Sequence, residues 1–341
     1  MNQTATYVNI MQESLERKKK YLEEILELTK EQEKLAHEKK FNEAAFGEVI
    51  DKKDILINNV NEIDKGFTAL YDRVRSEVLE NKEVYATELK CMQTLIKECV
   101  DLGMAIEVLE VIKENNAKGE DTIMVVPYGP IGPYSRLAYL VNTYRVSLKR
   151  CTFINMDEYL DDNKQWIDIN HPLSFRGFMN RTVYSKIKPE LNVPEDHRVF
   201  PDPNNVEYIP NLIEKLGGVD ICFGGIGING HLAFNEADAS LTCEEFKQLK
   251  TRVLPISPET RAANAIGDFG GRLEDMPVWC VTIGFNEIYN ARKIRLGIFR
   301  DWHRAVARRC GYGEMTADFP VSMVAEHPDA LIRMTEFVAN L

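Results

Sequence analysis

Apolar residues recur at helical spacing through the first hundred positions, and then the period changes. Leu15, Leu22, Ile25, Leu26 and Leu28 form one stripe. Val49, Ile50, Leu56, Val60 and Ile63 form a second, and Leu70, Tyr71, Val74 and Val78, then Leu89, Met92, Leu95 and Ile96, continue the pattern. Two or three long helices pairing as a hairpin or small bundle are predicted, with breaks near His37–Asn42 and a weaker one near Gly66. After about Val111 a polar turn at Asn115–Glu120 leads into short apolar runs. These lie at Thr122–Val126, Arg150–Asn155, Val219–Phe223, Val278–Ile283 and Ile294–Ile298, with helical segments between them. The alternation predicts an α/β fold: a mostly parallel, Rossmann-like sheet with helices on both faces and ligands at the carboxyl ends of its strands. The chain therefore divides into a helical domain over residues 1–109 and an α/β domain over residues 110–341.

Composition sharpens this division. All 14 prolines lie at or after Pro127, and only Gly47, Gly66 and Gly103 precede Gly119. A stretch of that length without proline, rich in Glu, Lys and Leu, is a long-helix composition. Its Met and aromatic positions read as core, and Arg17–Lys20 as a solvated helix face. A net charge of −11 argues against nucleic acid as a partner. The seven cysteines lack CxxC spacing, which suits a reducing cytoplasm and suggests neither a disulfide framework nor a zinc site. The segment MNQTATYVNIMQESLERKKK has no apolar core, and no run of eighteen apolar residues occurs. A cytoplasmic location without membrane contact is expected.

The chemistry concentrates in residues 223–238, FGGIGINGHLAFNEAD. Gly218, Gly224, Gly225, Gly227 and Gly230 surround a predicted strand end, where glycines let the backbone turn sharply and approach a ligand closely. His231 and Glu236 follow within six residues. An imidazole moves protons near neutral pH, and a carboxylate orients it and stabilises its charged form. Asp157 follows another predicted strand, where a partly desolvated carboxylate serves as a base toward a carbon-bound proton. Proton transfers by Asp157 and His231 need no metal and no organic cofactor.

The string GxGxxGHxAFNE resembles the signature of the glucosamine-6-phosphate deaminase/isomerase family. Three blocks agree with it in order: Asn155–Tyr159, then His171–Phe175 leading to Phe178–Arg181, then Thr260–Asn264. The related 6-phosphogluconate lactonases share the fold, but a different tail follows their His. The resemblance covers roughly residues 110–341 and implies an amino-sugar phosphate as substrate and a homo-oligomer. It also implies that Asp157 shuttles a proton between C1 and C2, that His231 opens the ring, that Glu236 orients and charges His231, and that Asn235 fixes the loop.

Against that family this chain departs at several positions. Asn229 stands where an Asp completes a carboxylate–His–carboxylate relay. A charge-assisted hydrogen bond contributes about 1.5–3 kcal/mol against about 1 for a neutral one, so the relay is weakened and Glu236 carries it. The family's phosphate-binding Arg falls on Ile266 and its phosphate-binding Lys on His303. Arg261, Arg300 and Arg304 are close enough in sequence to substitute. Pro127–Ser135 replaces a Thr-Gly-Gly-Thr turn. There Gly129 and Gly132 still present N–H groups, alongside Gly225 and Gly227, but Pro130 and Pro133 remove two donors. These changes leave open an isomerase acting on a different sugar.

The helical half has a resemblance of its own. LELTKEQEKL, FNEAAFGEVIDKKDILI and IDKGFTALYDRV look like FlgN-type flagellar export chaperones over about residues 5–109, which implies a flagellar partner. A coiled-coil oligomerisation arm is the alternative. Under the chaperone reading, the α/β half is an impaired enzyme carried along. Deaminase relatives carry a strand and helix before Thr122, and nothing upstream here has a strand pattern. A fusion clipping both modules, natural or accidental, is the simplest account, and it leaves one strand position of the sheet unfilled.

Overall fold

The computed structural model describes residues 3–36, 42–300 and 302–339. Chain contacts divide it into two compact units, Met1–Gly103 and Met104–Leu341.

The first unit is helical. It contains α1 (Gln3–Ala36), α2 (Glu43–Glu80) and the leading part of α3 (Ala86–Lys118). Val8, Met11 and Leu15 of α1 share a core with Phe67, Val74 and Val78 of α2 and with Tyr85 and Met92. Residues near the start of α1 thus meet residues near the end of α2, the antiparallel arrangement of a helical hairpin. The expected break at His37–Asn42 lies outside the described residues except for Asn42, whose side chain caps α2 by accepting from the Ala45 N–H at 3.2 Å. No break occurs at Gly66. A glycine inside a helix costs about 1 kcal/mol, which the apolar face beside it outweighs. The chain turns instead after Glu80, where Asn81 caps the last turn through the Glu77 carbonyl. Two lysines of the basic run pair within this unit: Lys18 with Asp64 at 2.5 Å and Lys19 with Glu98 at 2.6 Å.

The second unit begins inside α3, six residues before the boundary read from composition. Met104, Val108, Leu109 and Ile112 are buried. Glu107 accepts from Arg295, and from Arg333 at 3.1 Å. After α3 the order is β1 (Thr122–Val126), α4 (Gly132–Tyr144), β2 (Cys151–Asn155), β3 (Asp157–Leu160), α5 (Phe175–Thr182), β4 (Arg198–Val199), α6 (Tyr208–Lys215) and β5 (Ile221–Gly225). There follow α7 (Cys243–Lys247), β6 (Arg252–Pro255), α8 (Pro258–Asp268), β7 (Trp279–Thr282), α9 (Phe285–Tyr289), β8 (Lys293–Ile298), α10 (His303–Tyr312), β9 (Ala330–Met334) and α11 (Glu336–Ala339).

Six strands form a parallel sheet in the order β4-β2-β1-β5-β8-β9. The chain moves outward from β1 through β2 to β4, then returns to β5 on the other side of β1. With right-handed crossovers the helices of the two runs fall on opposite faces. The carboxyl ends of β1 and β5 become the switch point, where such sheets hold ligands. Val125, Ile154, Cys222, Ile294, Leu296 and Ile298 are fully buried, as strands covered on both faces must be.

A second sheet, β3-β7-β6, is antiparallel. The run at 278–283, expected in the parallel sheet, lies here instead. An apolar run reports burial and not which sheet it joins. Met156 alone separates the two sheets. Its N–H donates to the Val126 carbonyl at 3.0 Å, and its carbonyl accepts from the Ile283 N–H at 2.7 Å. Every interior strand of the large sheet has both neighbours, so the unfilled position expected from sequence is not a slot between strands. Among the described residues no helix is long and apolar enough to cross a membrane.

The placement of α3 makes a prediction about fragments. A 104–341 fragment should melt cooperatively. A 111–341 fragment lacks Met104, Val108, Leu109 and the Glu107 bridge, and burial of such side chains stabilises by on the order of 2 kcal/mol each. It should aggregate or melt at least about 10 °C lower in circular dichroism.

Candidate active site

The loop after β5 crosses the switch point and folds back on itself. The Gly227 N–H donates to the His231 carbonyl at 2.9 Å, and the Gly230 N–H to the Gly227 carbonyl at 3.0 Å. The His231 ring lies directly over Gly227, where a Cβ would fall 2.0 Å from its Cε1 and Nε2, so only glycine fits. Gly225 meets the loop after β1 in the same way, its Cβ position 3.1 Å from the Gly129 carbonyl oxygen.

His231 is held by a hydrogen-bonded cluster. Its Nδ1 lies 2.7 Å from Asn229 Oδ1, and Asn229 Nδ2 donates to Glu236 Oε2 at 2.7 Å. That same carboxylate oxygen is 3.2 Å from His231 Nδ1 and accepts from Thr260 Oγ1 at 3.1 Å. Burial opposes the Glu236 charge, but His231's charge and hydrogen bonds from His231, Asn229 and Thr260 outweigh it and hold the carboxyl at about 2. An ionised carboxylate only accepts, so Asn229 must turn its amide nitrogen toward Glu236 and its oxygen toward His231. Nδ1 therefore carries the imidazole proton, and Nε2 of the neutral ring keeps its lone pair. Asn229 is a link in this cluster, lying between His231 and Glu236.

Asp157 opens β3 immediately after the Met156 pivot and stands in register with Thr282 of β7. Thr282 Oγ1 accepts the Phe234 N–H at 3.1 Å, and Asn235 Nδ2 donates to the Ile283 carbonyl at 3.0 Å. The histidine loop is thus pinned to the residues beside Asp157, and Asn235 is the anchor. Asp157 is 7 % exposed, and among the described residues no hydrogen bond reaches its carboxylate. Burial, and then the neighbouring Glu158, push its carboxyl well above the usual range. Glu158 is fully buried but satisfied. It accepts at 3.0 Å from the N–H groups of Tyr159, Phe175 and Arg176, from Ser174 Oγ and from Arg176 Nε. It anchors the start of α5 and has no lone pair to offer a substrate.

No family profile matches the chain. The glucosamine-6-phosphate deaminase of Thermoanaerobacter pseudethanolicus is 27 % identical over 243 residues, 70 % of this chain and 90 % of that protein. That of Exiguobacterium sibiricum is 31 % identical over 198 residues, 58 % of this chain and 73 % of the relative. A solved monomeric glucosamine-6-phosphate deaminase of the NagB superfamily superposes with a TM-score of 0.62 at 26 % identity, covering 72 % of this chain and 96 % of its own. The chain belongs to the glucosamine-6-phosphate deaminase family. Each of these matches leaves part of this chain unaligned, and none speaks to a flagellar resemblance.

Within that family the residues expected to hold an anion fall in different surroundings. His303 is not available for it. Its Nδ1 accepts from the N–H groups of Phe299 at 3.1 Å and Arg300 at 2.8 Å, and its Nε2 lies 2.9 Å from the Ile226 carbonyl. Burial first, then the Arg300 charge, overcome the opposing Ile226 bond and hold its pKa down at about 4, so the ring is a neutral pin between two loops. Arg261 donates to the carbonyls of Met276 at 2.8 Å and Leu273 at 3.4 Å and ties down the segment after α8. Arg300 pairs with Asp268 at 2.8 Å. Ile266 projects outward, 78 % exposed. Gly129 abuts Gly225, and Gly132 begins α4, which has no side-chain cap. Thr260, within the Thr260–Asn264 block, completes the His231 cluster, a place that no sequence expectation gives it. Its signal was helical spacing with Asn264, whose Nδ2 donates to Tyr159 Oη at 3.0 Å. Among the described residues no group of three or more His, Cys, Asp or Glu is arranged to hold a metal ion.

The His303 pin has a measurable sign. Its folded pKa lies below the unfolded value, so its stabilisation is complete above pH 6.5 and lost as pH falls toward 4, about 3 kcal/mol in all. Urea denaturation of His303→Asn, which keeps an acceptor and a donor, should lack that component between pH 7 and pH 4.5.

Proposed function

We propose that this chain converts an amino-sugar phosphate of the glucosamine 6-phosphate type, with water, to a ketose phosphate and ammonia. The observation that carries this reading is the pairing of two unlike proton carriers beside one loop. Asp157 is buried and unpartnered, and His231 keeps Nε2 free while Nδ1–H is committed to Asn229. In this reading His231 Nε2 takes the O1–H proton, which makes the imidazolium, and delivers it to O5 as the C1–O5 bond breaks and the C1 aldehyde forms. Asp157 then removes the C2 proton and returns it to C1, leaving a C2 imine that water hydrolyses with release of ammonia. The raised Asp157 pKa makes its carboxylate the stronger base, because Brønsted behaviour rewards a pKa near the working pH. Glu236 stabilises the imidazolium formed in the first step and positions it through Asn229 and Thr260. Arg300 and the N–H groups around Gly225, Gly227, Gly129 and Gly132 are the groups we propose for the phosphate.

Ammonia and fructose 6-phosphate formation from glucosamine 6-phosphate tests the reaction directly. Asp157→Asn should keep substrate binding while lowering both turnover and solvent-deuterium incorporation at C1 by about 10²–10⁴-fold. Retention of the exchange would remove Asp157 from the mechanism.

For the helical unit we propose, on its sequence resemblance, a flagellar protein as partner. Cells carrying only residues 104–341 should keep deaminase turnover and lose export of that partner; unchanged export excludes it. Self-association of the full chain, the other expectation, is read by analytical ultracentrifugation.

A further inference from the structure

One face of α8 runs the length of the site. Thr260, Asn264, Gly267 and Asp268 follow the i, i+4, i+7, i+8 spacing of a single helical face. Thr260 touches His231 and Glu236, and Asn264 bonds Tyr159, which shares a face of β3 with Asp157. Gly267 and Asp268 meet Arg300. The two ends lie about 12 Å apart along the axis, room for a six-carbon sugar and its phosphate.

The far end is constrained in an unusual way. The Arg300 N–H donates to His303 Nδ1, whose ring is tied to Ile226 of the histidine loop, so the backbone bearing Arg300 is fixed to the same loop as His231. Arg300 Nη1 occupies the space that the missing side chain of Gly267 leaves, 1.9 Å from the Cβ position. Its Nη2 makes a single 2.8 Å contact with Asp268 Oδ1, in a pair whose side chains are 43 % and 23 % exposed. Both charges also act on the loop after β1. Burial and then Asp268 raise the Tyr128 phenol, and Arg300 opposes them.

We propose that Asp268 is a specificity-determining residue: its carboxylate occupies Arg300 until a phosphate monoester displaces it. The inference rests on the functional reading above. A phosphate offers three oxygens to a guanidinium that the aspartate engages through one nitrogen, and a partly exposed pair of this kind is weakly held. The displaced carboxylate then stands beside the bound dianion. Like charges at that separation weaken phosphate binding and restrain the site from holding its ligand tightly.

Calorimetric titration of inorganic phosphate into the full chain, with an uncharged hexitol as control, tests this. Asp268→Asn should bind phosphate about tenfold more tightly than wild type with hexitol affinity unchanged. Arg300→Gln should lose phosphate binding, and the double variant should match Arg300→Gln. Asp268→Ser repeats the neutralisation if the Asn variant melts early. Phosphate affinity unchanged or weakened in both Asp268 variants overturns the proposal, as does a gain that persists without Arg300. A wild type that turns over no amino-sugar phosphate while these shifts hold overturns the functional reading alone.

Discussion

One buried oxygen organises the site. Glu236 Oε2 takes hydrogen bonds from Asn229 and Thr260 and lies within 3.2 Å of the His231 ring nitrogen. A charged oxygen with so little exposure must be met by hydrogen bonds, and Oε2 takes them all, while Oε1 is buried without a partner among the described residues. Meeting that demand helps to draw together the loop after β5 and the first turn of α8, which also share a buried cluster through Phe234 and Ala265. The same requirement dictates which way the Asn229 amide faces, and through it which imidazole nitrogen carries the proton. The tautomer of a neutral His231 ring thus follows from the hydrogen bonds made to Glu236 Oε2.

Two adjacent carboxylates show how environment assigns role. Asp157 and Glu158 differ by one methylene and one position, and strand alternation sends them to opposite faces. Glu158 meets five donors, four of them at the start of α5 and one from Tyr159, and is a structural anchor. Asp157 is also buried but meets no donor among the described residues, and burial raises its carboxyl well above the usual range. Identity of side chain alone would rank them equal.

The end of the cleft around Arg300 follows a different logic from the end around His231. Its cations are engaged by the protein itself: Arg261 by backbone carbonyls, Arg300 by Asp268, and His303 by two amides and a carbonyl that keep it neutral. His231, Asn229, Glu236 and Thr260 sit in a tightly bonded cluster, whereas Ile266 is exposed and His303 is a neutral pin. The α3 helix adds a further departure. Its last turns belong to the α/β unit, with Glu107 bonded to β8 and β9.

Much of this was legible in the residues, because its causes are local. Period-3.6 stripes determined the long helices, apolar runs after Val111 determined five strands, and the order of glycines with His231 and Glu236 marked the loop after β5 in which these two side chains meet. What was not legible depends on partners distant in the chain. Gly66 does not break α2, because the apolar face beside it outweighs a weak local preference. The run at 278–283 was legible as a strand, but its sheet was decided by pairing with Asp157–Leu160. His303 looked like a cation for phosphate; only the approach of two amides and the Ile226 carbonyl made it a neutral pin. Thr260 and Asp268 gained their significance from a helix face that meets His231 at one end and Arg300 at the other. Sequence alone thus determined which elements form and which side chains the loop after β5 gathers. Tertiary structure decided protonation, pairing and role, since these depend on burial and on hydrogen bonds that close only when distant segments meet.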